Sequence, residues 1–234
     1  MTELIIKNSI LLTAGILNLA MSLFIISRGW KNKVNLYFSL FTFFNFLWAL
    51  SILLARILES DFYFFWAMLA YPISLGIAVS LFYFSVYFPF SRQSLKKYVH
   101  FLILIPGIIL SIIFFIPDLF IVSSTHNPEI TEYTLYYFKP MYWVFAVYFL
   151  ILMISVVYNL YIKYKLVELI FKKQIIFLLI TIIIGLIFAI YFDLIICYFG
   201  DFRYAWAGPP FSLLINAVVF YLIFSARDKI NVKE

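Results

Sequence analysis

Seven separate stretches of this 234-residue chain are each apolar for about the length that a membrane helix requires. A helix needs about 20 mostly apolar residues to cross a hydrocarbon core of about 30 Å. Such stretches lie at 5–27, 34–57, 62–90, 98–117, 140–162, 174–199 and 208–226. Within lipid every backbone N–H and C=O must find a partner inside the protein, which leaves only helices or closed barrels. Barrel strands read as alternating segments of about 10 residues, and none is present. The expected fold is therefore all-α, a single polytopic membrane domain over 1–234 built as a bundle of seven transmembrane helices. Composition agrees: 12% of the residues are charged and 66% hydrophobic, against roughly 25% charged in a typical soluble domain. A lone cysteine, Cys197, excludes an internal disulfide and a zinc site built on several thiolates.

The net charge of +6 is an orientation signal. Thirteen of the 17 Lys and Arg residues fall in the gaps after spans one, three and five and in the tail: Arg28, Lys31, Lys33, Arg92, Lys96, Lys97, Lys163, Lys165, Lys172, Lys173, Arg227, Lys229 and Lys233. The other side holds Lys7, Arg56, Lys139 and Arg203, together with most carboxylates. By the positive-inside rule the N-terminus is outside and the C-terminus cytoplasmic. Span one is expected to be retained, since Glu3 and no basic cluster precedes it. The basic residues form short clusters between spans and no folded patch, so no nucleic-acid partner is expected. Aromatic belts are expected at Tyr133, Tyr136, Tyr137, Trp143, Tyr204 and Trp206 outside, and at Trp30, Tyr98, Tyr161 and Tyr164 inside. The longest loop, 118–139, is external and large enough to lid a pocket; its stretch 123–128 is a cluster of turn formers.

Ionisable residues inside the membrane are costly and are the default functional candidates. Asp193 precedes the outer end of span six at Phe199 by six residues, about 9 Å along a helix. Arg56 lies near the outer end of span two. Their similar depth suggests a pair, either as the floor of an outward-facing ligand pocket also lined by Arg203 or as a plain clamp between helices. Small and polar residues recur at helical spacing: Gly15, Asn18 and Ser22; Ser39, Thr42, Asn45 and Ala49; Tyr71, Ser74, Ala78 and Ser85; Ser212 and Asn216. Such stripes mark where membrane helices touch. Pro72 and Pro106 interrupt spans three and four and are candidate hinges or static bends, while Pro209 and Pro210 open span seven.

Enzyme chemistry is not expected. His100 and His126 fall on opposite sides of the membrane and cannot share a metal, so neither a metal nor a cofactor is expected. Cys197 with His126 gives a thiol and a base without an orienting group. HExxH, GxSxG and Walker motifs are missing. Span seven holds no lysine for a retinal Schiff base. A small-solute transporter or channel is the alternative class, but it needs polar residues through both leaflets, and the inner halves of the spans are almost entirely apolar.

Several features keep a fixed order along the chain. They are the basic turn from Arg28 to Lys33, Trp48 in an aromatic second span, Trp66 and then Pro72 in span three, and the exit Tyr87-Phe88-Pro89. Ile105-Pro106, Lys173-Gln174, Gly208-Pro209 and an exit from Arg227 to Ile230 follow. In this order and spacing the chain resembles the N-terminal seven-transmembrane-helix sensor region of histidine kinases of bacteria and archaea. The resemblance implies a multi-pass plasma-membrane receptor of a two-component system. Such a receptor takes a hydrophobic or small-molecule signal from outside or from the bilayer and passes it through span seven to a cytoplasmic output. That output, a kinase or another signalling domain, is expected either after residue 234 or as a separate protein, and the resemblance also implies a homodimer.

Overall fold

The computed structural model describes residues 2–58, 62–89, 95–116, 118–127 and 132–231, with side chains described as far as Leu222 except at 2, 125–127, 132–134 and 170. Glu59, Asp61, Arg92, the side chains of His126 and Tyr133, and the side chains of the charged exit at 227–230 lie outside the described residues.

Among the described residues seven α-helices run in chain order: α1 (Thr2–Ser27), α2 (Lys33–Ile57), α3 (Phe62–Tyr87), α4 (Lys97–Ile113), α5 (Lys139–Leu166), α6 (Leu169–Phe188) and α7 (Gly208–Asn231). Beyond Phe188 the α6 helix continues as a π-helical segment, Ala189–Ile196, and a 3-10 turn at Ala205–Ala207 leads into α7. Local signals set the ends. Asn32 caps α2, its Oδ1 accepting the Val34 N–H at 2.9 Å. Pro140 sits in the first turn of α5, where a missing N–H costs nothing. Gly200, at φ 83°, makes the reversal after the π segment in a region that favours glycine.

Six helices pack as a closed ring: α1 on α2, α2 on α3, α3 on α5, α5 on α6, α6 on α7, and α7 back on α1. Helix α4 lies outside the ring against α3. It is tied to α5 by the Tyr148 hydroxyl, which donates to the Ile103 carbonyl over Gly107. Only Ile103, Gly107 and Leu110 of α4 are buried.

The seven expected spans are matched in part. Among the described residues, six helices are long and apolar enough to cross a membrane. Helix α4 is apolar but has 17 residues, about 25 Å at 1.5 Å per residue. The expected span at 98–117 ends early because the chain turns after Ile113 to insert Phe114 and Phe120 into the core.

The all-α expectation also needs correction at the long loop. Ile121–Asn127 and Glu132–Tyr137 pair as an antiparallel hairpin, β1 and β2, with a register shift between Ile121 and Ser123. The turn-forming side chains at 123–127 obscured a strand. What decides the outcome is β2, where Tyr, Thr and Leu alternate so that Leu135 is buried and Tyr136 is exposed.

Polar stripes act as helix contacts, as expected. Ser22 and Ser39 bond each other's carbonyls across α1 and α2 at 2.9 Å. Gly15 brings α1 against Ala49 of α2, and Asn18 meets Asn216 of α7. At the end of the bundle away from the hairpin, Lys163 donates from its Nζ to the Val86 and Phe88 carbonyls, completing the last turn of α3. Asn159 donates to Ser85 Oγ one turn away, at 3.2 Å. Lys163 was expected in the solvated basic turn and is instead a buried tie between helices.

Candidate functional site

The ring encloses a cavity in its hairpin half, between α2, α3, α5, α6 with its π segment, and α7. It offers about 150 Å³ to the centres of water-sized spheres. By that measure one water needs about 10–15 Å³, so the space suits about ten waters or one ligand of comparable size. Its lining runs from the hairpin end as far as Phe41 of α2, Leu81 of α3, Met153 of α5, Ile182 of α6 and Ile215 of α7, which leaves at least one turn of each helix beyond it.

Asp193 lies on the π segment and lines this cavity. A π turn carries one extra residue and is frequent at functional sites. Two side chains meet carbonyls of the wider turn: Tyr142 of α5 donates to the Leu194 carbonyl at 2.8 Å, and the Cys197 thiol to that of Phe192 at 3.3 Å. The carboxylate is served differently. Its Oδ2 is buried and has no hydrogen-bond partner among the described residues. Gly208 makes its position possible. A Cβ there would lie 2.9 Å from that oxygen and 2.3 Å from Cη2 of Trp48, so the carboxylate and the indole converge on the bare backbone of the first residue of α7. Phe188 stacks on Phe211 at 4.3 Å and on Phe192 at 5.9 Å, giving the same corner an aromatic wall.

The hairpin roofs the cavity through Leu135, and Phe202, in the turn between the π segment and α7, lines it as well. Tyr63 bonds Ser124 at 2.8 Å, and the Tyr71 and Tyr137 hydroxyls bond each other. Beneath the strands Tyr71, Phe114, Phe120, Tyr137 and Phe145 meet mostly edge to face, each such pair worth about 0.5–1.5 kcal/mol beyond its burial. Tyr137 was expected in an outer aromatic belt. It points inward instead, and burial with the neighbouring Tyr71 pushes its hydroxyl pKa well above the usual value.

Of the residues expected to bind a ligand, the structure brings only Asp193 to the cavity. Arg56 is buried on α2, where its Nε donates to Asn8 Oδ1 of α1 at 3.1 Å. Among the described residues no ion pair joins it to Asp193. Arg203 sits in the exposed turn before α7 and pairs with Asp201 at 2.7 Å, holding that carboxyl below the usual range. Pro72 adjoins the cavity through its neighbour Tyr71, whereas Pro106 is on α4, outside the ring. Cys197 lines the cavity. His100 is elsewhere, its Nδ1 bonded to the Tyr83 hydroxyl at 2.8 Å.

Sequence reasoning did not assign Trp48, Phe188, Phe192, Gly208 and Phe211 to a site. A signal was available in part: Asp193 follows two aromatic residues, and Gly208 with Trp48 belonged to the ordered features. The π turn has no such signature.

A family model described as the N-terminal 7TM region of histidine kinase matches residues 10–229 of the chain. Neither a curated protein nor a solved structure gives a match.

Proposed function

This chain belongs to the family of N-terminal 7TM regions of histidine kinases, a family of membrane sensory input regions, and from that premise we propose that the cavity beside α7 is where its signal acts. In this reading the chain lies with its N-terminus outside and its C-terminus in the cytoplasm, carries no catalytic chemistry of its own, and hands its state to a cytoplasmic kinase or other output through α7. A ligand that enters from the outer side or from the bilayer shifts the balance between two arrangements of the bundle, by the difference in its affinity for them.

One observation carries the proposal. Asp193 Oδ2, unpartnered in an apolar cavity, lies against Gly208, the first residue of the helix that leads to the output. An occupant that bonds this oxygen, or displaces Trp48 beside it, presses directly on α7. The lining stops short of the end of the bundle away from the hairpin, which favours a receptor pocket over the continuous path of a channel. Arg56 and Arg203 then support the site from outside it, and Pro72 is the better placed of the two candidate hinges.

The test joins the chain to a histidine-kinase catalytic region and reads autophosphorylation in membranes. Asp193→Ala is expected to change the output at least threefold at unchanged membrane level; unchanged output would end the proposed role. Orientation is tested by maleimide labelling of Ser124→Cys and Lys165→Cys, each on a Cys197→Ser background. Labelling of the first alone from outside intact cells is expected, and the reverse pattern would invert the topology.

A further inference from the structure

We infer that the cavity takes an amphiphile bearing a basic amine, with Asp193 pairing its ammonium group and Trp48, Phe188, Phe192 and Phe211 enclosing the carbon atoms next to it. This rests on the reading of the cavity as the signal site and adds the chemistry of the occupant. Three observations lead there. First, of the buried side-chain polar atoms on the described lining residues, Asp193 Oδ2 alone bonds nothing among the described residues. A ligand with only acceptors leaves that oxygen unserved, a carboxylate ligand adds a second negative charge beside it, and an ammonium group supplies both donors and the opposite charge.

Second, the described residues bring no cation to the cavity wall. Among the described lining residues there is no Lys, Arg or His. Of the basic groups of this end, Arg56 is engaged with Asn8, Arg203 with Asp201 and Lys7 with Glu3, and Lys139 is exposed at the start of α5, away from the lining. Third, the walls around the carboxylate are ring faces and edges. Trp48 reaches within 2.3 Å of the same Cβ position that Asp193 Oδ2 approaches, and Phe188 stacks on both Phe192 and Phe211. Aromatic rings around a cation add attraction that a neutral alcohol of the same length does not receive.

The test uses the full chain in phosphatidylcholine nanodiscs and three probes of one chain length: dodecylamine, dodecanol and dodecanoate. Thermal unfolding is followed at equal bilayer mole fraction of each probe, for wild type and Asp193→Asn. The inference expects an apparent affinity for dodecylamine at least tenfold above that for dodecanol in wild type, no stabilisation by dodecanoate, and loss of the amine preference in Asp193→Asn. Trp48→Leu keeps the carboxylate and is expected to cut the preference at least threefold, which preserves the test if Asp193→Asn does not fold. Equal shifts by amine and alcohol in wild type, or an amine preference retained in both variants, would overturn it. The kinase reporter separates the two ideas: altered output in Asp193→Ala with no amine preference leaves the signal site standing and removes only the amine.

Discussion

Asn216 of α7 donates from its Nδ2 to Oδ1 of Asn18 in α1, the two side chains being fully buried and 198 positions apart in the chain. The other half of each amide, Asn18 Nδ2 and Asn216 Oδ1, has no partner among the described residues. This contact pins the last helix to the first, about one turn beyond the cavity-lining Ser212. It therefore sets the register from which α7 moves.

Asn216→Leu is expected to cost about 1–2 kcal/mol of stability, since interhelical hydrogen bonds are worth about 0.6–1.7 kcal/mol and a stranded buried amide adds to that. The double variant with Asn18→Leu is expected to be more stable than the two single losses sum to, because no amide is then stranded. Unfolding in mixed micelles measures all three, and strict additivity would contradict the pairing.

Lys163 is the second tie, at the opposite end of the bundle. Lys163→Met is expected to lower stability by about 1.5–3 kcal/mol, the usual worth of hydrogen bonds made by a charged group. Exposed Lys165, two residues on, serves as the control, and Lys165→Met is expected to stay within about 0.5 kcal/mol. A comparison of their melting curves decides it.

Gly208→Ala places a Cβ 2.3 Å from Trp48 and 2.9 Å from Asp193 Oδ2. Overpacking of this kind costs about 1–3 kcal/mol. Trp48→Phe in the same chain is expected to recover most of the loss by removing the ring atoms in conflict. Absence of recovery, measured by thermal unfolding, would place the strain elsewhere.

The hairpin carries a pH signature. Burial raises the Tyr137 pKa, so the neutral hydroxyl, and the stability it confers with Tyr71, is fully present below the unfolded value near 10 and is lost only as pH climbs through the higher folded value. A difference titration at 295 nm between wild type and Tyr137→Phe is therefore expected to stay flat through pH 10. A step near 10 would mean that Tyr137 is exposed.

The sequence by itself determined the membrane class, the helical segments and the family, because apolar length is a one-dimensional property and a bilayer permits few backbone solutions. It also marked Asp193, since a carboxylate in such a segment stands out. The stripe of Gly15, Asn18 and Ser22 was legible for the same reason: helical spacing places residues on one face before any partner is known. Which partner each face meets was decided only in three dimensions. The tertiary structure put Arg56 on Asn8 and away from Asp193, turned Lys163 and Tyr137 inward, and folded the turn-forming loop into a hairpin. It also left α4 outside the ring, and brought Trp48 and Gly208, 160 residues apart, to the same carboxylate. Spacing fixes what shares a helix face; only the packing of helices fixes what stands opposite it.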